Sequence, residues 1–389
     1  MIRLAARLGG IAPFRVMQIL ARARAIEARG GDIVHMEIGE PDFISPPAVI
    51  AAGRAALAAG RTHYTPAAGL AELREAIATY YRERFSVDVA SRNVLVTPGA
   101  SGALQLLLGV LVDPGERVAV TDPGYPCNRH MVAMYGGEPV PIAVDVVNGF
   151  GIARRDLEAA MQGGLRALML ASPANPTGNL IANAQLAELA DCLATQDGVL
   201  ICDEIYQGLQ YGSEPETALQ TGRPNLVVIN SFSKFFGMTG WRVGWIVAPE
   251  GLIEPMERLA QNLFLAAPTV GQYAALAAFD SATMMVLEQR RAEFEARRDF
   301  LFDAVAEMGF GVGRRPGGAF YLYADVSDFT DDSQAFCTRL LEEVGVAVTP
   351  GSDFGNHLAA RHVRFAFTTG IDRLEQGAER LHRFLRAGG

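Results

Sequence analysis

The sequence predicts an α/β fold: a mostly parallel sheet sandwiched by helices, with a smaller α+β domain built from the C-terminal region and the N-terminal arm. Three observations carry that prediction. Between about Asn93 and Val247, short β-branched or aliphatic runs alternate with helical patterns, as in sheets covered on both faces. Beyond about Leu301 further runs look like strands of a second unit. The 389 residues, 50% hydrophobic and 20% charged with mean hydropathy +0.15, are enough for a large core and two domains, which excludes disorder and small disulfide scaffolds.

From the N-terminus, Val16, Ile19, Leu20, Ala23 and Ile26 recur at helical spacing. Arg3, Arg7, Arg15, Arg22 and Arg24 precede the first acid, Glu27, as in a transit peptide. The pattern nevertheless runs unbroken into G-E-P-D-F at Gly39–Phe43, so residues 1–45 are read as an arm of the folded chain. Residues 46–285 are expected to form the large domain, with strands at Val94–Thr97, Val118–Thr121, Leu168–Ala171, Val199–Cys202, Leu226–Asn230 and Val243–Val247. From Leu252 to about Leu301 one long helix is the simplest account, with a charged face at Gln289–Arg297. Residues 286–389 form the small domain, with strands expected within Gly317–Val326, Val346–Gly351 and His362–Phe367.

A net charge of −9 disfavours nucleic acid or an anionic membrane as the main partner and favours small molecules. No apolar stretch reaches the ~18 residues a membrane helix needs. Cys127, Cys192, Cys202 and Cys337 form no C-x-x-C pair, and the histidines show no metal spacing, so reduced thiols, no metal and a cytoplasmic location are expected.

The 34 basic residues resolve into 33 arginines and one lysine, Lys234. An amine, unlike a guanidinium, loses its proton near neutral pH and forms a Schiff base with a carbonyl. Lys234 follows the run Leu226–Asn230, beside Ser231, Ser233 and Arg242, which suit a phosphate-bearing carbonyl compound. Asp203 ends another strand, placed either to balance a protonated ring nitrogen or to cap the next turn. P-G-A-S-G-A at Pro98–Ala103, with Gly99, Ala100 and Ser101, opens a helical stretch; read alone it fits a phosphate site or an ordinary glycine turn capped by Ser101. Lysine, acid and anion site at one sheet end match the needs of pyridoxal 5′-phosphate.

These segments resemble the pyridoxal-phosphate aminotransferases of fold type I, class I/II, over nearly the whole chain. The markers run in family order: G-E-P-D-F at Gly39, Y-T-P-A-A-G at Tyr64, P-G-A-S at Pro98, D-P-G-Y-P at Asp122, S-P-A-N-P-T-G at Ser172, D-E-I-Y at Asp203, S-F-S-K-F-F-G-M-T-G-W-R-V-G at Ser231 and V-R-F-A-F at Val363. The resemblance implies Lys234 as Schiff-base residue and proton shuttle, Asp203 as partner of the pyridine nitrogen, and Tyr206 and Asn175 on its phenolic oxygen. It implies Tyr125 stacked on the ring, with Gly99, Ala100, Ser101, Ser231, Ser233 and Arg242 around the phosphate. Arg364 looks like the grip on the substrate α-carboxylate, with the Gly39 backbone lining the same pocket. Tyr64 resembles a tyrosine that reaches the neighbouring active site of a homodimer.

The implied activity moves the amino group of an L-amino acid to a 2-oxo acid by a ping-pong mechanism through pyridoxal and pyridoxamine phosphate. The same motifs serve a Cβ lyase, and a non-enzymatic cofactor-binding module is the third reading. Ser101 stands where related enzymes carry a lysine for a distal carboxylate, so neutral aliphatic or aromatic donors are expected.

Overall fold

The computed structural model describes residues 2–388. In chain order its strands are β1 (Val34–His35), β2 (Val94–Thr97), β3 (Arg117–Asp122), β4 (Glu138–Ala143), β5 (Ala167–Ala171), β6 (Val199–Asp203), β7 (Leu226–Ser231), β8 (Gly244–Val247), β9 (Tyr321–Asp325), β10 (Val346–Ala347), β11 (Thr349–Pro350) and β12 (His362–Ala366). Seven of them form a central sheet in the order β2-β8-β7-β6-β5-β3-β4, in which β8 alone runs against the rest.

Alternation along the strands explains why helices cover both faces. Leu95, Val118, Val120, Met169, Ile201 and Ile229 pack into one buried cluster, with helices Gly99–Leu111 and Glu250–Leu263. Their neighbours Val96, Ala119, Leu168, Leu170, Cys202 and Val228 pack into the other. A strand apolar on both sides is stable only between two layers.

The order of the strands puts the carboxyl ends of β5, β6 and β7 side by side, with Asp203 in register with Ala171 and Ile229. A three-stranded antiparallel sheet, β11-β12-β9, stands over that end. The N-terminal segment joins it through parallel pairing of β1 with β10. The helix Arg15–Glu27 is fastened by Asp353, whose carboxylate accepts from the N–H groups of Arg15 (2.9 Å) and Val16 (3.3 Å). Asp122, at the end of β3, accepts in turn from the N–H groups of Asn356 (3.0 Å) and His357 (3.2 Å).

Two expectations are corrected. The long helix expected from Leu252 to Leu301 is three helices, Glu250–Leu263, Thr269–Leu276 and Ser281–Glu307. The first break holds Leu265 at φ 66° and Pro268, which lacks an N–H; the second is the extended Asp280. The strand β4 is additional. Its E-P-V-P-I-A sequence reads as a poor strand, yet at a sheet edge proline leaves no ladder bond unmade.

Candidate active site

One cavity of 200 Å3 opens where the carboxyl ends of the central strands face the smaller sheet. Of the residues singled out in the sequence, Gly39, Ala100, Ser101, Tyr125, Asn175, Asp203, Tyr206, Ser233, Lys234, Arg242 and Arg364 line it. Gly99 and Ser231 lie just behind the wall. Tyr64 lies outside, 83% exposed.

Lys234 enters from the turn after β7, and its Nζ donates to the Gly39 carbonyl at 2.6 Å. The residue is partly exposed, but its amine points inward, where burial pushes its pKa down to about 8 against the opposing pull of Glu40. Gly39 must be glycine: a Cβ there would lie 1.7 Å from the Tyr321 hydroxyl. Asp203, 7% exposed, accepts from the Ile205 N–H at 3.0 Å, its one side-chain hydrogen-bond partner among the described residues. Burial raises its pKa to about 6, with that N–H and Lys234 acting the other way. A carboxylate so placed lacks a cationic donor in contact, and a protonated ring nitrogen would supply one.

The anion end is built on the helix Gly99–Leu111, which starts earlier than the sequence suggests and so leaves the first-turn N–H groups, including those of Ala100 and Ser101, without helical partners. Gly99, at φ 70°, admits the Arg242 guanidinium, which a Cβ would approach to 2.5 Å. Arg242 Nη1 donates to the Thr239 carbonyl at 3.0 Å and lies 3.4 Å from Ser233 Oγ. Ser231 stands behind: its hydroxyl donates to the Val243 carbonyl (3.1 Å) and contacts Ser233 Oγ at 2.9 Å. It steadies Ser233 rather than facing the cavity.

Arg364 projects from β12 and is 3% exposed. Its guanidinium donates to Asn175 Oδ1 at 2.9 Å and to the Glu37 carbonyl, and rests 4.2 Å from the Tyr321 ring centre, while its Nε has no partner among the described residues. Every direct contact is neutral, and no carboxylate pairs with it among the described residues. A buried cation in that state is a receptor for an anion.

Tyr206 shares a hydrogen bond with Tyr321 (2.8 Å). Tyr321, the Glu37 carbonyl and Thr349, whose Oγ1 lies 3.4 Å from Arg364 Nη2, were not singled out by the sequence. The Y-L-Y alternation of β9 signals a strand, but only its pairing with β12 sets Tyr321 beneath Arg364. Phe14, Val16 and Met17 of the arm also line the cavity, with Ile38, Leu104 and Ile205.

Lys234, Arg242 and Arg364 face a single lining carboxylate, Asp203, so the cavity is electropositive. It fits a ligand carrying a phosphate at one end and a ring nitrogen at the other, with a carboxylate beside it. Tyr125 supplies an aromatic wall, held edge-on to Phe14 at 6.3 Å.

The profile of the family described as "Aminotransferase class I and II" matches residues 31–381. A valine–pyruvate aminotransferase of Mycobacterium tuberculosis is 38% identical over 97% of both chains. The aspartate aminotransferase of Geobacillus stearothermophilus is 33% identical over 99% of this chain and 100% of its own. Among solved structures, an aminotransferase from Mycobacterium tuberculosis superposes with TM-score 0.95 over all of both chains at 38% identity. Thermus thermophilus aspartate aminotransferase with maleate gives 0.93 over 98% of this chain and 100% of its own at 34% identity. Family match and superposition both span nearly the whole length: the chain belongs to the class I and II aminotransferases and is a pyridoxal-phosphate-dependent transferase.

Proposed function

We propose that the enzyme moves the amino group of a neutral L-amino acid to a 2-oxo acid in two half-reactions of a ping-pong cycle. The observation that carries this reading is the buried Arg364 guanidinium without an anionic partner, facing the same cavity as the Lys234 amine. Ala100, Ser101, Ser233 and Arg242, with Gly99 and Ser231 behind them, would hold the phosphate of pyridoxal 5′-phosphate. Asp203 would hold the ring nitrogen, Tyr206 and Asn175 the phenolic oxygen, and Tyr125 one ring face. When bound, the cofactor supplies an electron sink conjugated to the substrate's amino carbon.

The residues of the chain do the rest. Arg364 takes the α-carboxylate bidentately, releasing none of its neutral contacts that a carboxylate does not better, and so fixes which substrate bond faces Lys234. Lys234 would hold the cofactor through its aldehyde carbon and, as the free amine, would carry the proton away from the substrate Cα. Asp203 would hold the ring nitrogen in its cationic form. Tyr321 and Tyr125 exclude water around the transferred proton.

The donor class follows from counting cations. Lys234, Arg242 and Arg364 each have a task, and the remaining wall, Phe14, Val16, Met17, Ile38 and Leu104, offers a distal carboxylate no charge. A missing charge-assisted contact is worth about 1.5–3 kcal/mol, which favours valine- or phenylalanine-like donors over aspartate.

The test is a single-turnover assay of holoenzyme with an amino donor and no acceptor. A transaminase releases one equivalent of 2-oxo acid per site and stops until acceptor is added. Continued release of ammonia and oxo acid would establish the lyase. No oxo acid from any of twenty donors would leave the binding module. Aspartate outpacing every neutral donor would overturn the donor class.

A further inference from the structure

Two tyrosine hydroxyls meet in the wall of the substrate cavity. Tyr206, from the turn after β6, and Tyr321, the first residue of β9, both line it and are both buried, with their oxygens 2.8 Å apart. Among the described residues each hydroxyl is the other's one hydrogen-bond partner.

A bond between two hydroxyls uses one hydrogen and leaves the other over. Burial keeps both groups protonated, in Tyr321 against the opposing charge of Arg364. If Tyr206 donated, the hydrogen left over would be that of Tyr321. That oxygen is packed so closely on Gly39 that a Cβ there would lie 1.7 Å from it, and the Gly39 carbonyl already accepts from Lys234 Nζ at 2.6 Å. A buried donor without an acceptor is costly. If Tyr321 donates, its hydrogen is used, and the one left over belongs to Tyr206, available to an acceptor oxygen of a ligand.

Asn175 is oriented by the same logic. Arg364 Nη1 donates to Asn175 Oδ1 at 2.9 Å, and a guanidinium only donates, so the Asn175 amide keeps its Nδ2 hydrogens for another acceptor. Tyr321 touches this arrangement too. Its ring centre lies 4.2 Å from the Arg364 guanidinium, whose positive charge makes the phenol a stronger hydrogen donor.

We propose that Tyr321 is a positioning residue for the amino transfer: by donating to Tyr206 Oη it turns the Tyr206 hydrogen toward the phenolic oxygen of pyridoxal phosphate. The proposal rests on the reading that Tyr206 holds that oxygen. A hydroxyl that accepts a hydrogen bond donates more strongly, so Tyr321 reinforces the stabilisation of negative charge on the phenolic oxygen. The cofactor joined to Lys234 carries a proton whose loss changes its visible absorption, and a donor aimed at the phenolic oxygen favours the deprotonated form. The other titratable groups on the cavity wall, Tyr125, Asp203, Lys234, Arg242 and Arg364, are the same in every variant compared below.

The test is an absorbance titration of holoenzyme without substrate, between about pH 5 and 10, run as a double-mutant cycle. Tyr206→Phe should raise the midpoint of the spectral change by about one unit, tenfold in proton affinity, as for a lost hydrogen bond to a charged group. Tyr321→Phe keeps the ring under Arg364 and removes only the hydroxyl; it should raise the midpoint by about half a unit, or threefold. In the Tyr206→Phe background, Tyr321→Phe should add nothing, because its effect passes through Tyr206. Should Tyr321→Phe not fold, a ring-fluorinated and more acidic tyrosine in place of Tyr321 should move the midpoint down instead. Three outcomes overturn the proposal. A midpoint that Tyr206→Phe raises and Tyr321→Phe leaves in place would make Tyr321 a packing residue, with the reading of Tyr206 intact. Equal shifts from Tyr321→Phe in both backgrounds would mean a loosened cavity rather than an oriented hydrogen. No shift from Tyr206→Phe would detach Tyr206 from the phenolic oxygen and remove the proposal with it.

Discussion

At Lys234 the environment changes what a lysine is. An exposed amine holds its proton until about pH 10.4, whereas burial here brings the value to about 8, so an appreciable neutral fraction exists near pH 7. The direction of the effect follows. Neutral amine attacks the cofactor's aldehyde, so capture of pyridoxal phosphate by the cofactor-free protein should accelerate as pH rises and level off above about 8. Stopped-flow absorbance between pH 6 and 10 reads this directly; a rate still climbing steeply at pH 10 would show an ordinary lysine. Lys234→Ala should bind the cofactor through the phosphate cradle but lose about a thousandfold or more in turnover, in line with removing both nucleophile and proton carrier. This residue was legible in the sequence because it is the one lysine among 33 arginines and follows a strand. Tyr321 was not: a tyrosine in a Y-L-Y strand looks like any core aromatic until the neighbouring strand sets it under a guanidinium.

At the level of elements, the short β1 strand and the segment after it do more than their length suggests. The Glu37 carbonyl accepts from Arg364, and the Gly39 carbonyl accepts from Lys234, so one stretch of backbone touches both inner cations. The Glu37 side chain, fully buried, pairs with His35 Nδ1 at 2.8 Å, and Glu27 meets His35 Nε2 at 3.1 Å. Hydrogen bonding to Glu37 raises the His35 pKa to about 9, against the desolvation that would lower it. A raised folded-state value means stability fully present below the unfolded histidine's pKa of about 6.5 and lost as pH climbs through about 9. His35→Gln should therefore lower Tm at pH 6 and converge with the parent above pH 9. Calorimetric melts at pH 6 and 10 check it; an equal deficit at both would mean lost packing rather than a lost ion pair. None of this could be read from H-M-E-I-G, where His35 and Glu37 are merely two apart, because the burial that makes their pairing matter comes from β10 and β12.

At the scale of the whole molecule, the exposed Tyr64 is the proposed site residue that a single chain leaves unused. It stands in solvent with other large apolar groups, Ile44 (74%) and Leu57 (58%) among them. Such side chains suit an interface, and the proposed homodimer would carry the Tyr64 hydroxyl to the partner's phosphate site. Sedimentation should then give twice 41.7 kDa. Tyr64→Phe should keep that mass and loosen the cofactor about tenfold, the worth of one hydrogen bond to a charged group; an unchanged cofactor Kd would detach Tyr64 from the site. By itself, the sequence marked six central strands to within a residue at each end, with the lysine just after one and the acid at the end of another, because those signals are local: period, punctuation and residue type within a few positions. The tertiary structure alone decided that a helix expected to be continuous breaks at Pro268 and Asp280, and that an edge strand with two prolines completes the sheet. It alone set the Glu37 carbonyl and the Tyr321 ring around Arg364, because those contacts join segments 327 and 43 residues apart whose meeting depends on strand order and register, which no local pattern encodes.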